Sequence, residues 1–124
     1  MKCSEIADNL ARSRRGWGQE VFLRREWDDE KREYVGRPLY CVIGLKLRGA
    51  GVSERYLKNI TEVSRIEYLD ASTRGQLIDL EWMNDDARNK KSLIEELRKT
   101  PDVELNIEAA IEAALKHQEE LGYG

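Results

Sequence analysis

The last quarter of the chain carries the pattern that most constrains its fold. Apolar side chains recur there at intervals of three and four, which places them along one face of an α-helix. These side chains are Ile107, Ala110, Ile111, Ala114, Leu115 and Leu121. Gly122 follows them and can end the helix in the left-handed conformation. The pattern predicts a helix over 106–121 whose apolar face is buried, either by the rest of the chain or by a second copy in a homodimer.

Four more helices are predicted where a capping side chain precedes an apolar run. They cover about 5–14 after Ser4, 54–65 after Ser53, 73–82 after Thr73 and 92–99 after Ser92. The last two begin with a capping box, because Gln76 and Glu95 follow their cap residues at the third position. The run Asn84-Asp85-Asp86 is expected to break or recap the chain between them.

A β-hairpin is predicted near the N-terminus. The segment from Gln19 to Trp27 holds three consecutive apolar residues and ends on a Trp, which favours a strand. The acidic residues 28–30 form a polar turn, and the chain returns as a second strand over 32–35. Gly36-Arg37-Pro38 is expected to stop that strand.

The segment 39–47 is ambiguous from its residues alone. The β-propensity of residues 40–43 favours a short buried strand. Pro38 at a first helical position, with Gly49 and Gly51 as a stop, favours a helix instead. In either case Gly44 indicates close approach of another backbone or of a ligand, because it would weaken a helix by about 1 kcal/mol relative to Ala.

Length and composition bound the class of protein. We expect a single domain over 1–124 of the α+β class, mainly helical, with five or six helices and an N-terminal β-hairpin. No run approaches the roughly 20 apolar residues of a membrane span, and the first residues lack a signal-peptide core, so a cytoplasmic protein without membrane contact is expected. Two distant cysteines and one histidine predict neither a disulfide framework nor a metal site, and no cofactor is expected.

Charge is unevenly distributed along the chain. Residues 1–65 hold 14 Lys and Arg against 10 Asp and Glu, whereas residues 66–124 hold 7 against 14. The cluster Arg12, Arg14, Arg15, Arg24 and Arg25 is consistent with anion binding, or with solvated helix and strand faces. The overall acidity argues against nucleic acid as a partner. Aromatic residues beside these arginines nevertheless leave nucleic-acid or nucleotide binding through the hairpin as an alternative.

Three short clusters stand apart from the amphipathic pattern: Trp17-Gly18-Gln19, Tyr40 to Leu45, and Trp82-Met83-Asn84-Asp85. Their order and spacing resemble an uncharacterised family of small bacterial and phage domains. Its members carry Trp-Thr-Gln, Cys-Ala-x-Gly-Ala and Trp-Asn-Asp segments. The resemblance implies a small cytoplasmic protein without an assigned activity, and it favours a helix over 39–47. This chain has Gly for Thr in the first segment and an inserted Met in the third.

The clusters supply the candidate site residues. Cys41 at a helix start could be a nucleophile, with His117 as base and Asn84 or Asp85 as orienting group. His117 follows the apolar stripe and is expected to be exposed, which weakens that hypothesis. The candidate ligand-binding residues are Trp17, Gln19, Arg15, Arg24, Tyr40, Trp82 and Asn84. The alternative for Trp82 is a buried anchor at a helix end, with Asn84 or Asp85 as a cap.

The ends of elements joined by short loops tend to gather on one side of a small domain. We therefore predict that Trp17, Gln19, Cys41, Trp82 and Asn84 lie in one neighbourhood. A cavity of about 300 Å³ or more beside Arg15 or Arg24 would indicate a ligand site, whereas full internal hydrogen bonding would indicate a structural core.

No complete catalytic constellation is present. The sequence therefore favours a non-catalytic binding module for an unknown protein or a small anionic ligand. The resemblance implies a bacterial or phage protein, and a phage protein of this kind is expected to be directed at its host. A small Cys41-dependent enzyme is the alternative. The sequence therefore leaves enzymatic activity open but favours a protein that is not an enzyme.

Overall fold

The computed structural model describes all residues, 1–124, as six α-helices and a three-stranded sheet. The helices are α1 (Cys3–Arg12), α2 (Val42–Gly49), α3 (Glu54–Asn59), α4 (Ala71–Asp86), α5 (Lys90–Lys99) and α6 (Ile107–Leu121). The strands are β1 (Gly16–Trp17), β2 (Leu23–Asp28) and β3 (Glu33–Tyr40). A single 3-10 turn lies at Val63–Arg65. The predicted class is confirmed: the protein is α+β and mainly helical, with its sheet near the N-terminus.

The sheet differs from the predicted hairpin in its extent. Its order is β1-β3-β2, with β1 parallel and β2 antiparallel to β3. The first hairpin strand begins at Leu23 and not at Gln19, because Glu20 adopts a left-handed conformation with φ 77° that interrupts extended backbone. The short strand β1 was not predicted.

The second hairpin strand is longer than predicted and runs through Pro38 to Tyr40. The pairing register shifts between Arg24 and Glu26, so that Arg25 faces the three residues 36–38 across a bulge. Gly36 supplies the left-handed φ of 72° in that bulge, and Pro38 needs no ladder N–H there. The expectation that Gly36-Arg37-Pro38 would stop the strand was therefore wrong.

The ambiguous segment 39–47 contains both structures. Tyr40 ends β3, Cys41 is the N-cap, and α2 begins at Val42, so the helix prediction holds from that point and Pro38 is not a helical residue. Gly44 is needed for close packing, because a Cβ there would lie 2.1 Å from the carbonyl oxygen of Phe22.

Several predicted caps are displaced by residues that lie further back in the chain. Asp70 accepts the N–H of Thr73, and Asn89 accepts the N–H of Ser92, so α4 and α5 begin before the predicted capping boxes. Likewise α1 begins at Cys3, before Ser4. Only Ser53 caps where it was expected to, by accepting the N–H of Tyr56.

Two helix lengths also differ from prediction. The third helix ends at Asn59 rather than 65, because Ile60 is extended and the backbone then makes the 3-10 turn. Helix α4 continues through Asn84 and Asp85 to Asp86, so that run does not break the chain. Arg74 holds the intervening loop by donating to the carbonyls of Val63, Ser64, Ile66 and Leu69.

Helix α6 runs as predicted and ends at Gly122 with φ 70°. Its buried face consists of Ile107, Ala110, Ala113, Ala114 and His117, which rotates the stripe away from Leu121. His117 was expected to be exposed and is instead buried, with Nδ1 2.8 Å from the Tyr56 hydroxyl. Most of the α6 stripe therefore packs within its own chain.

Candidate functional site

The carboxamide of Asn84 is the hub of a buried polar cluster. Its Oδ1 accepts hydrogen bonds from the Trp17 indole N–H and the Val42 backbone N–H, both at 2.9 Å. Its Nδ2 donates to the Gly18 carbonyl at 3.0 Å. Asn84 is fully buried on the core face of α4. One amide thus joins β1, the start of α2 and the end of α4, and we call this set, with Gln19, the Asn84 cluster.

Gln19 extends the cluster along the end of α4. Its Nε2 donates to the carbonyls of Asn84, Asp85 and Ala87 at 3.1, 2.8 and 2.7 Å. These are the carbonyls that a helix end leaves without intrahelical partners. The Asp85 carboxylate accepts the N–H of Glu20 at 2.7 Å. Gln19 and Asp85 therefore fasten the chain after β1 to the C-terminal turn of α4.

The surroundings of the Asn84 cluster are closely packed. A Cβ at Gly18 would lie 2.9 Å from the Cβ of Leu39, which leaves no room for a side chain. The amide groups of Asn84 and Gln19 already have protein partners, and neither residue lines the main clefts of the molecule. The geometry supports a structural role for Trp17, Gln19 and Asn84.

Trp82 lies outside this neighbourhood. It is 64% exposed, and two helical residues separate its direction from that of Asn84 by about 200°. We expected Trp82 either to lie beside Trp17 or to be a buried anchor at a helix end. Its exposure and its direction on α4 contradict both expectations. The inserted Met83 is partly buried, and Asn84 takes the core-facing position.

Cys41 lies at the edge of the cluster as the N-cap of α2. Its sulfur accepts the N–H of Gly44 at 3.3 Å. Burial raises the pKa of the Cys41 thiol to about 12, so it is protonated at neutral pH. Asn84 is engaged by three other groups, and His117 Nδ1 is bonded to Tyr56. The geometry therefore does not bring a base or an orienting group to a reactive thiolate.

A cleft of about 400 Å³ lies between α1 and α2 and is bordered by α6. We call it the α1–α2 cleft. Its apolar residues are Ile6, Leu10, Val42, Leu45, Ala50 and Ile111. Its polar residues are Asn9, Ser13, Arg15 and Lys46, and Gly49 completes it. No Asp or Glu lines this cleft, although the chain has 24 acidic residues.

The two cations of the cleft are free of direct partners. Neither the Arg15 guanidinium nor the Lys46 ammonium forms a salt bridge or a side-chain hydrogen bond, and Arg15 lies 5.9 Å from the centre of the Tyr40 ring. Partial burial lowers the pKa of Lys46, against the opposing influence of Glu108 and Glu5. An anion in the cleft would therefore meet two positive charges that form no salt bridge, one of which, Lys46, is partly offset by Glu108 and Glu5.

The other two candidate ligand residues lie apart from the cleft. Arg24 is an exposed residue of β2. Tyr40 is buried at the end of β3, and its hydroxyl has no hydrogen-bond partner in the protein. Among the sequence-predicted ligand residues, Arg15 alone lines the cleft.

Neither Lys46 nor the C-terminal end of α2, with Gly49 and Ala50, was predicted from sequence as part of a binding site. Lys46 follows Val42 by one helical turn and shares its side of α2, a relation that becomes readable only once the helix start is fixed. Glu81 was missed as well. Burial raises the pKa of its carboxyl to about 7, even though its Oε2 accepts the N–H of Val63.

No three His, Cys, Asp or Glu side chains are grouped so that they could hold a metal ion. None of the helices has the length and hydropathy needed to cross a membrane. Comparison with protein-family models, curated proteins and solved structures finds no match to this chain.

Proposed function

We propose that the protein is a non-catalytic binding module that takes a small anionic ligand in the α1–α2 cleft. The observation that carries this proposal is the pair of unpaired cations, Arg15 and Lys46, in a cleft without acidic residues. Its volume of about 400 Å³ falls within the range of small-molecule sites.

The electrostatic environment supports an anion more strongly than a neutral ligand. A unit charge 4 Å from either cation would gain on the order of 4 kcal/mol at the effective dielectric near a protein surface, before desolvation is subtracted. In Lys46 this gain would also offset the cost of its partial burial, because a nearby anion stabilises the charged ammonium. Two such groups without partners therefore favour an occupant of opposite charge.

Anilinonaphthalene sulfonate, a fluorescent organic anion, tests the proposal in the intact protein. We expect saturable binding that weakens about tenfold or more in Arg15→Ala and in Lys46→Met, a loss of about 1.4 kcal/mol in each. Arg24→Ala removes an exposed arginine outside the cleft and is the matched control. Equal binding by all three variants, or no saturable binding at all, would contradict the proposal.

A second candidate is nucleic-acid binding at the hairpin, motivated by an exposed aromatic pair. Trp27 and Tyr34 are 52% and 56% exposed, their ring centres are 5.0 Å apart, and Lys58 lies 5.4 Å from the Tyr34 ring centre. Exposed aromatic rings beside cations can stack on bases. Fluorescence anisotropy with a labelled single-stranded oligonucleotide would test it, with loss of binding in Trp27→Ala expected.

The proposal also covers the localisation, the target and the oligomeric state of the protein. The bacterial and phage resemblance motivates a cytoplasmic, host-directed role, in which the bound anion or a host protein is the target. A homodimer through α6 would use Leu115 and the exposed Leu121, because Ile111 lines the cleft and the rest of the stripe is buried within the chain. Light scattering at high micromolar concentration tests the dimer, and a 14.4 kDa species would contradict it.

A further inference from the structure

We infer that the ligand of the α1–α2 cleft is a monoanionic amphiphile: a carboxylate or sulfonate head group on an apolar tail. This inference rests on the proposed function and specifies the chemistry of its ligand. It depends on how apolar, cationic and backbone groups are distributed around the cleft.

The apolar part of the cleft is built by three helices. Ile6 and Leu10 come from α1, Val42 and Leu45 from α2, and Ile111 from α6. A tail placed against them would remove apolar surface from water, which is favourable by roughly 25 cal/mol per Å². A ligand without a tail would leave this surface hydrated, so the cleft favours an occupant with apolar surface of its own.

The groups available to a head group are few and suit a single charge. Arg15 and Lys46 supply the positive charges. The Ser13 oxygen accepts the Arg15 backbone N–H at 3.2 Å, which leaves its hydroxyl hydrogen free to donate to an anion. Glu5 and Glu108 lie close enough to Lys46 to raise its pKa, and their repulsion of a ligand grows with each negative charge, which favours a head group with a single charge.

Backbone amides of the kind that bind phosphate are already occupied. In the first turn of α2 the N–H of Val42 donates to Asn84 Oδ1 and that of Gly44 to the Cys41 sulfur. The cleft instead includes Gly49 and Ala50 at the C-terminal end of α2, the negative end of the helix dipole. Phosphate sites typically use the opposite end of a helix. The negative end of the dipole opposes any anion and opposes one of higher charge more strongly, so a single charge balanced by Arg15 and Lys46 is favoured over nucleotides and other polyanions.

Calorimetric titration of the intact protein at fixed ionic strength tests the ligand class with four probes: octanoate, octanol, inorganic phosphate and ATP. We expect octanoate to bind at least about tenfold more tightly than octanol, because only octanoate engages both the cations and the apolar residues. Phosphate and ATP should show no saturable heat. Octanoate should also displace anilinonaphthalene sulfonate.

Two variants separate the tail contact from the fold. Ile111→Gln should weaken octanoate binding, whereas Leu115→Gln should leave it unchanged, because Leu115 is partly buried on the same helix outside the cleft. Circular dichroism and thermal unfolding would verify that both variants fold. Should Ile111→Gln not fold, Arg15→Ala changes an exposed side chain and tests the head-group contact instead.

The outcomes distinguish this inference from the proposed function. Displacement of the dye by ATP or phosphate but not by octanoate would overturn the ligand class and leave an anion site in the cleft. Octanol binding as tightly as octanoate would also overturn the class. Failure of the dye and of all four probes to bind would overturn both the class and the proposed function.

Discussion

The Asn84 cluster and the α1–α2 cleft differ in whether their polar groups have hydrogen-bond or salt-bridge partners within the protein. In the cluster, one buried amide bonds to Trp17, Gly18 and Val42. In the cleft, Arg15 and Lys46 bond to no side chain at all. Val42 belongs to both regions: its backbone N–H is held by the cluster, and its side chain lines the cleft.

This contrast indicates which polar groups are available to bind a ligand. A buried amide with every partner inside the protein contributes to stability, and its removal exposes the cost of the groups left unpaired. A cation without a salt-bridge partner, whether exposed as in Arg15 or partly buried as in Lys46, contributes little to stability and is available to a ligand. Mutations in the two regions should therefore separate stability from binding.

Asn84→Ala should produce the largest loss of stability. It leaves the Trp17 indole N–H, the Val42 N–H and the Gly18 carbonyl without partners, and each unsatisfied buried group costs about 1–3 kcal/mol. We expect a loss of roughly 3–5 kcal/mol in denaturant unfolding. Asn59→Ala, which removes an exposed amide at the end of α3, is the control, with a change within about 0.5 kcal/mol. Similar losses of stability in both variants would contradict a stabilising role for the hydrogen bonds of Asn84.

Gly44→Ala should follow, with a loss at or near the upper end of the 1–3 kcal/mol that overpacking typically costs. The added Cβ would lie 2.1 Å from the Phe22 carbonyl oxygen, a backbone atom that cannot rotate away. Gly75→Ala is the matched control in α4, where a Cβ meets nothing within 4 Å. That variant should gain about 0.5–1 kcal/mol from helix propensity. Thermal unfolding of both variants measures the contrast, and an unchanged Gly44→Ala would contradict close packing at this helix start.

The free energy of unfolding should also depend on pH through Glu81. Burial raises the pKa of its carboxyl from an ordinary 4.5 to about 7 in the folded protein. Its contribution to stability is therefore fully present below about pH 4.5 and is lost as the pH rises through about 7. Glu81→Gln keeps an oxygen that can accept the Val63 N–H but cannot ionise.

We expect Glu81→Gln to be more stable than the parent by roughly 2 kcal/mol at pH 8, with the difference vanishing near pH 4. Urea unfolding of both proteins across this pH range measures it. Glu112→Gln, at an exposed position without an ion pair, is the control and should not show this gain. A gain that stays constant with pH would contradict the assignment to Glu81.

Lys46→Met should give the smallest change in stability. The ammonium has no partner to lose, and partial burial already disfavours its charge, so the free energy of unfolding should change by less than about 1 kcal/mol or rise slightly. The same variant should lose binding of anilinonaphthalene sulfonate. A large destabilisation would show that Lys46 serves the fold and would remove the contrast between the two regions.

Sequence patterns predicted elements better than their boundaries. The 3.6-residue period of α6 and the Ser53 cap identified their helices, because both signals are local. The start of α4 was misplaced because Thr73 and Asp70 are both good caps, and only the folded backbone shows which one is used. The continuation of β3 through Pro38 depends on a bulge opposite Arg25, which the chain cannot reveal before its strands pair.

The candidate site was predicted only in part for the same reason. Trp17, Gln19 and Asn84 were chosen as a group, and they do lie together, because unusual polar residues beside aromatics and glycines mark specific contacts. Sequence could not distinguish a satisfied amide from an available one. Lys46 carries no unusual signal in sequence, since its position in the cleft and its lack of a direct salt bridge depend on the folded arrangement of α1, α2 and α6.

The bonds of Asn84 also bear on how the molecule opens. They connect residues 17–18, 42 and 84, segments that are distant along the chain and belong to a strand, a helix start and a helix end. Fraying of the last turn of α4 would release all three contacts together, so β1 and the start of α2 should loosen as one cooperative unit. In hydrogen exchange the Val42 amide would then report on the integrity of α4, although it lies in a different helix.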